Sequence, residues 1–536
     1  MNISEILKEQ SAACSEAIAI LDTHRGHPRV LTFAGLDRAS AQAAALLCRA
    51  GLQPGEVVLV LHPMSAELYI ALLAIFRLGL VAMFLDPSAG IEQIDRRCAL
   101  CPPRGLIASS KAHLLRLTSP ALRRIPVKLA IGVPVPGAIR WNCSGKLAPH
   151  ELIHPCTPET PALLTFTSGS TGRPKAAVRT HGFLMAQHRI LQESLGLRPG
   201  EIELTTLPIF ALANLASGVT TLIPDVDLRR PGASDPASLV DQIHDHDPTR
   251  VIASPALLEC VADHCMKHGL MLPSLRKVFS GGAPVFPRLL VKLQQIAPRA
   301  KITAVYGSTE AEPIAKIAYQ AMGPGDVAAM TAGRGLLAGL PVPAIELRIL
   351  RDQWGTPIGP YTPAQFKAEC LPPGSVGEIV VSGDHVLTGY LHGYGDEETK
   401  FSVDGRRWHR TGDAGYLDDQ GRLWLLGRCA AKIEDTRGTL YPFTVECVAH
   451  HRPGVSRAAA ISCQGRRILA VELEEQRAGA DLALLKKELA WASIDEIQVH
   501  RPIPVDKRHN AKIDYPALHE LVRSSHTTAD GHLLIA

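Results

Sequence analysis

Across residues 36–50, LDRASAQAAALLCRA, apolar side chains return every three or four positions, the period of a helix with one buried stripe. Short apolar runs follow in EVVLVL at 56–61, GLIASS at 105–110 and VKLAIGV at 127–133, as expected of strands covered on both faces. A second set of alternating elements begins with a helix over 183–194. Strands are then expected at 202–208, 250–255, 276–282 and 301–307, each closing on Gly, Ser, Thr or Pro. Such closures leave polar loops at the carboxyl ends of a parallel sheet, where α/β proteins bind ligands.

The most apolar stretch, AELYIALLAIFRLGLVAMFL at 66–85, approaches bilayer length but contains Glu67 and Arg77. A helix breaking near Gly79 into a buried strand explains it, so no transmembrane segment is expected. From about residue 374 the pattern changes to short Gly- and Asp-separated strands, an antiparallel or barrel-like portion. Strands near 456–462 and 467–473, a helix around 480–491 and a strand at 496–503 make up a compact tail. The expected class is thus α/β. A large domain of α/β layers plus the barrel-like portion spans 1–428, and a small mobile α+β domain spans 429–536.

Composition narrows the reading. The chain has 536 residues, 56 basic against 52 acidic, with no dominant basic block, which gives no support to nucleic-acid binding. Twelve cysteines in a chain of this length form no dense disulfide framework, and no secretory signal precedes them, so a cytoplasmic setting is expected. Cys98 and Cys101, and the run Cys260, His264, Cys265, His268, fit helix packing better than metal ligation.

Candidate chemistry concentrates in three segments. In LLTFTSGSTGRPKAAVRTHG (163–182) an apolar strand runs into Thr167, Ser168, Gly169, Ser170, Thr171 and Gly172, then Arg173, Pro174 and Lys175. Small residues let successive N–H groups face an anion, and Lys175 adds a charge able to reach phosphate oxygens. Pro174 disfavours a phosphate-capping helix of the Walker type, and a plain polar surface loop is the alternative. AVYGSTEAEP (304–313) sets Tyr306, Gly307, Ser308, Thr309 and Glu310 at a strand end, with Glu310 a candidate Mg²⁺ ligand. In WHRTGDAGYLDDQGRLWLLGR (408–428) Asp413 suits paired sugar hydroxyls and Arg428 can contact the same nucleotide, whereas Asp418 and Asp419 read as a solvated turn.

Taken together, TSGSTGRPK, YGSTE, TGD and GRLWLLGR resemble, in order, motifs of the adenylate-forming family that includes acyl-CoA synthetases, peptide-synthetase adenylation domains and luciferases. PVDKRHNAKID (504–514) is similar to the family's terminal segment. The resemblance implies a carboxylic acid substrate, ATP and Mg²⁺. It implies that Lys175 and the backbone from Thr167 to Gly172 handle phosphates, that Glu310 holds Mg²⁺ and that Tyr306 lies against adenine. It further implies that Asp413 and Arg428 bind the ribose, that Gly281, Gly282 and Ala283 line the nucleotide–acyl junction, and that Lys512 is the mobile catalytic lysine. Phe210 and Val305 are expected acyl-wall residues, with core packing as the alternative reading.

One departure stands out. The family's hinge usually reads Gly-Arg-x-Asp, whereas this chain has Ala430 at the hinge position and Glu434 where a lysine is usual. That loop helps shape the thiol-entry side, so the departure counts against routine CoA ligation and leaves the adenylation residues intact. A narrower resemblance, to the β-lactone synthetases of bacterial olefin biosynthesis, is carried by HRTGDAGYLD, EDTRGTLYPFTVECVAHHRPGVSR, TLPIFALANL and RHNAKI. The expected reaction is activation of a fatty or β-hydroxy fatty acid, then acyl transfer to CoA. Attack by the acid's own β-hydroxyl, giving a β-lactone and AMP without an external acceptor, is the alternative, and a non-catalytic nucleotide-binding or scaffold protein is a third reading. Association with lipid-pathway enzymes is a further expectation.

Overall fold

In the computed structural model the described residues are 2–24, 26–85, 90–168, 174–226, 235–474, 481–505, 513–525 and 534–535. The amphipathic stretch near residue 40 forms the helix Phe33–Arg49, started by Thr32, whose hydroxyl accepts from the Gly35 amide. The apolar stretch at 66–85 divides into the helix Ala66–Arg77 and the strand Val81–Phe84. Gly79 makes the break with φ of +64°, a conformation that costs glycine little. Among the described residues no helix is long and apolar enough to cross a membrane.

Two large sheets carry the N-terminal part. In the first, of seven strands, Val57–Leu61, Val81–Phe84, Gly105–Ser109, Val127–Ile131 and Pro161–Ser168 run parallel. Pro174–Thr180 closes one edge as an antiparallel hairpin on Pro161–Ser168. In the second, Ile202–Thr205, Arg250–Ala253, Lys277–Gly281 and Lys301–Ser308 are parallel neighbours, and Lys301–Ser308 then pairs antiparallel with Ala311–Ala318. Buried aliphatic side chains cover both faces of these strands, and Cys265 belongs to that core.

The strands expected to form a barrel-like portion pair differently. Leu336–Pro341, Leu423–Arg428, Arg406–Leu417, Gly377–Ser382 and Glu346–Leu350 extend the second sheet as an open antiparallel array of which Glu346–Leu350 is the last strand. Short strands with glycines between them are shared by barrels and open sheets, and the pairing here does not close. Asp418 also departs from the expected solvated turn. Its carboxylate accepts from Arg422 Nε at 2.8 Å and from Trp424 Nε1 at 3.0 Å, pinning the hairpin.

The smaller C-terminal region is α+β. Val455–Cys463 pairs antiparallel with Arg466–Leu473, Glu496–Val499 lies parallel to the latter, and the helices Pro442–His450, Leu482–Glu488 and Tyr515–Ser525 accompany them. It touches the larger part at separate places. Phe286 stacks on His450 with ring centroids 4.0 Å apart, Arg288 pairs with Glu474, and Tyr441 donates to Asp352 at 2.8 Å. The Trp491 indole lies over Gly333, where a Cβ would stand 2.2 Å from the ring.

Candidate active site

Strand ends bring the expected residues to one region. Tyr306, Gly307 and Ser308 finish the strand Lys301–Ser308, and Thr309 and Glu310 form the tip of its hairpin with Ala311–Ala318. The tip is held from several sides: Ser308 Oγ accepts from the Glu310 amide at 3.2 Å, Arg179 donates to the Thr309 carbonyl at 3.0 Å, and the Leu387 amide donates to the Glu310 carbonyl at 2.7 Å. Gly281 pairs with Val305 on the neighbouring strand, and a Cβ there would come within 2.8 Å of the Val305 carbonyl oxygen. Gly282 is exposed beyond that strand and Ala283 is half-buried.

Asp413 and Arg428 face each other across two antiparallel strands. Arg428 Nε lies 3.2 Å from Asp413 Oδ1, and the Tyr306 hydroxyl donates to Asp413 Oδ2 at 2.6 Å. Burial, and then the Asp413 charge, hold the Tyr306 phenol well above its usual range, so it remains a donor. Asp413 thus sits between a phenol and a guanidinium and keeps 18% of its side chain exposed, enough to meet a polar ligand.

Glu310 sits in a different setting. Its Oε1 accepts from the Tyr390 hydroxyl at 2.8 Å, and among the described residues no basic side chain forms an ion pair with it. Burial disfavours its charge, but His409, the Tyr390 hydrogen bond and Lys400 more than offset this, and the carboxyl lies below its usual range. Lys400 is itself buried, is tied to the Leu387 carbonyl and is lowered to about 7 by burial, against the pull of Glu310 and Asp396. An ionised oxygen donor without an ion-pair partner fits Mg²⁺, which takes one or two carboxylates together with phosphates and water.

Lys175, on the hairpin strand Pro174–Thr180, is buried; its Nζ lies 2.6 Å from Glu398 Oε2 and 5.9 Å from the Tyr390 ring centre. Thr167 and Ser168 pair with Lys175 and Pro174 in the ladder. Gly169, Ser170, Thr171, Gly172 and Lys512 lie outside the described residues. Phe210 and Val305 come together in one buried cluster with Phe279, Ile252 and Leu195. A small apolar cavity of about 40 Å³ adjoins the helix that carries Phe210; Ile209, Leu212, Leu73 and Leu191 line it, Phe210 and Val305 do not, and there the Gln187 amide has no partner among the described residues. Cys429 packs with Ala414 and Leu426. Tyr390, Glu398, Lys400 and His409 gather around the candidate residues and receive no role from the sequence; Tyr390 lies in the glycine-rich run after residue 374 and His409 in the segment 408–428, while no motif marks Glu398 or Lys400.

The chain matches the AMP-binding enzyme family over residues 7–391. It is 32% identical over 506 residues to an olefin beta-lactone synthetase of Stenotrophomonas maltophilia, covering 90% of this chain and 89% of the relative. An olefin beta-lactone synthetase of Xanthomonas campestris pv. campestris is 32% identical over 512 residues, with the same coverage of 90% and 89%. In fold it is similar to the anthranilate CoA ligase AuaEII in complex with anthranoyl-AMP, with a TM-score of 0.83, 19% identity and 98% of each chain covered. The chain therefore belongs to the AMP-binding enzyme family and is an AMP-forming enzyme that activates a carboxylic acid as its adenylate.

Proposed function

We propose that this protein uses ATP to activate a β-hydroxy acid with an apolar chain, and that the acid's own hydroxyl then closes a β-lactone and releases AMP. The observation that carries the reading is the 32% identity, over 90% of the chain, to two olefin beta-lactone synthetases. It favours lactone formation over the CoA transfer expected first from the sequence, in line with Ala430 and Glu434 at the hinge. Phe210 and Val305, which pack in one buried apolar cluster, are the acyl-wall residues of this reading.

In this reading the carboxylate oxygen attacks the α-phosphorus in line and pyrophosphate leaves. The β-hydroxyl oxygen then attacks the acyl carbon, its proton goes to the phosphate side or to water, and AMP departs. No side-chain nucleophile is needed, so the residues act by positioning and charge. Lys175 and the segment from Thr167 to Gly172 meet the phosphates. Glu310 holds Mg²⁺, which neutralises phosphate charge when bound. Tyr306 lies against adenine, Asp413 and Arg428 take the ribose, and Gly281, Gly282 and Ala283 line the junction with the acyl group. From residue 429 onward the tail forms a mobile domain that brings Lys512 to the α-phosphate.

The test is a product assay without CoA. ATP, Mg²⁺ and 3-hydroxy acids of graded chain length should give AMP and a β-lactone identified by mass spectrometry and NMR. AMP formation strictly dependent on CoA, with a thioester product, overturns the reading.

A further inference from the structure

Tyr390 stands where three charged groups of the site converge. It is 6% exposed, its backbone bridges to Ala177 on the strand that carries Lys175, and its amide donates to Asp396 Oδ1 at 2.9 Å. Its hydroxyl donates to Glu310 at 2.8 Å. Two lysine side chains approach its ring, Lys175 Nζ at 5.9 Å and Lys400 Nζ at 5.4 Å from the centre. Leu387 completes the frame, since its carbonyl accepts from Lys400 and its amide donates to the Glu310 carbonyl.

A carboxylate that receives a hard cation must stay ionised and present its oxygens in a fixed direction. An arginine or lysine ion pair would fix it but would also cancel the charge the cation needs. A phenol fixes it without cancelling the charge. The Lys175 ammonium near the ring face is attracted to it. Lys175 gives one N–H to Glu398 and keeps the others for anionic oxygens.

We propose that Tyr390 is a positioning residue that orients Glu310 for the metal and, through its ring, holds Lys175 in register with it. The inference rests on Glu310 being the metal carboxylate. The competing reading is that Tyr390 only fills space in the core cluster it shares with Leu387.

Tyr390→Phe keeps the ring and removes only the hydroxyl, so it separates the two. Binding of Mn²⁺ to the protein with α,β-methylene-ATP, followed by electron paramagnetic resonance without any acid, reads the metal site independently of turnover. The variant should weaken Mn²⁺ binding about tenfold while melting and metal-free nucleotide binding stay at parent values. Binding read well below each variant's melting temperature keeps the comparison valid should Tyr390→Phe melt early. Glu310→Gln is the reference. If it weakens Mn²⁺ binding while Tyr390→Phe does not, the positioning role is overturned and Glu310 keeps its place. If Glu310→Gln binds Mn²⁺ like the parent, the metal assignment itself falls, and the inference with it.

Discussion

Buried charge is handled in two ways in this molecule. In the sheet interior Arg250 and Glu203 are both 0% exposed; Arg250 donates to Glu203 at 2.9 Å, to Glu201 at 3.0 Å and to the Gly196 and Leu195 carbonyls at 3.1 Å. Arg410 and Glu378, each 1% exposed, are joined by contacts of 2.6 and 3.0 Å. Every charge there has a fixed protein partner, as burial demands. At the hairpin tip Glu310 has a phenol and no ion pair among the described residues. On the function proposed above, the difference separates charges that complete the fold from a charge that a metal would complete.

That contrast can be broken most forcefully at Arg410. Arg410→Met leaves Glu378 buried without its partner, and denaturant unfolding should show a loss of about 3–5 kcal/mol. Glu310→Gln should melt near the parent while its Mg²⁺-dependent pyrophosphate exchange collapses; equal destabilisation by the two changes would erase the distinction.

Lys512→Ala sharpens it from the catalytic side. Exchange should fall by roughly 10²–10³, about 3–4 kcal/mol of transition-state stabilisation, with melting unchanged. Near-native exchange would remove Lys512 from the chemistry.

Glu446 is a buried carboxyl of the C-terminal region. Burial raises its carboxyl to about 7, against the hydrogen bond from Tyr515 at 2.8 Å. A raised folded value favours the protonated form. The stability it contributes is present below the ordinary carboxyl range and is lost as pH rises through about 7. That contribution amounts to about 3 kcal/mol. Melting should therefore fall between pH 5 and 8, by less in Glu446→Gln, and identical pH profiles would refute the assignment. The smallest effect belongs to the surface, where Arg96 and Glu92 are 55% and 75% exposed. Glu92→Gln should change stability by no more than about 0.5 kcal/mol.

Much of this was legible along the chain, for a physical reason. The helix Phe33–Arg49 and the split of residues 66–85 are local consequences of period, capping and glycine, so their signal lies within a few residues. Tyr306 and Glu310 stood out as candidates because polar residues follow directly on an apolar strand, and Asp413, which the structure sets inside the strand Arg406–Leu417, because it follows Gly412. Tyr390 and Glu398 did not, because their partners lie far away in sequence, 80 residues for Tyr390 with Glu310 and 223 for Lys175 with Glu398. The barrel-like expectation had the same origin: glycine-punctuated strands fix lengths and turns, while closure depends on which distant edges meet. Phe210 and Val305 carried both an acyl-wall and a core reading, and the structure packs them together in one cluster.

The indole seated on Gly333 has an experimental use. Trp491 belongs to the C-terminal region, Gly333 to the larger part, and the ring is 47% exposed. Any swing of one part against the other changes the solvent around that indole, so the protein carries its own optical reporter. Stopped-flow emission compared between the parent and Trp491→Phe would isolate its signal from those of the other tryptophans. With no dye attached, emission that changes with pyrophosphate release would support the proposed domain motion, and constant emission would count against it.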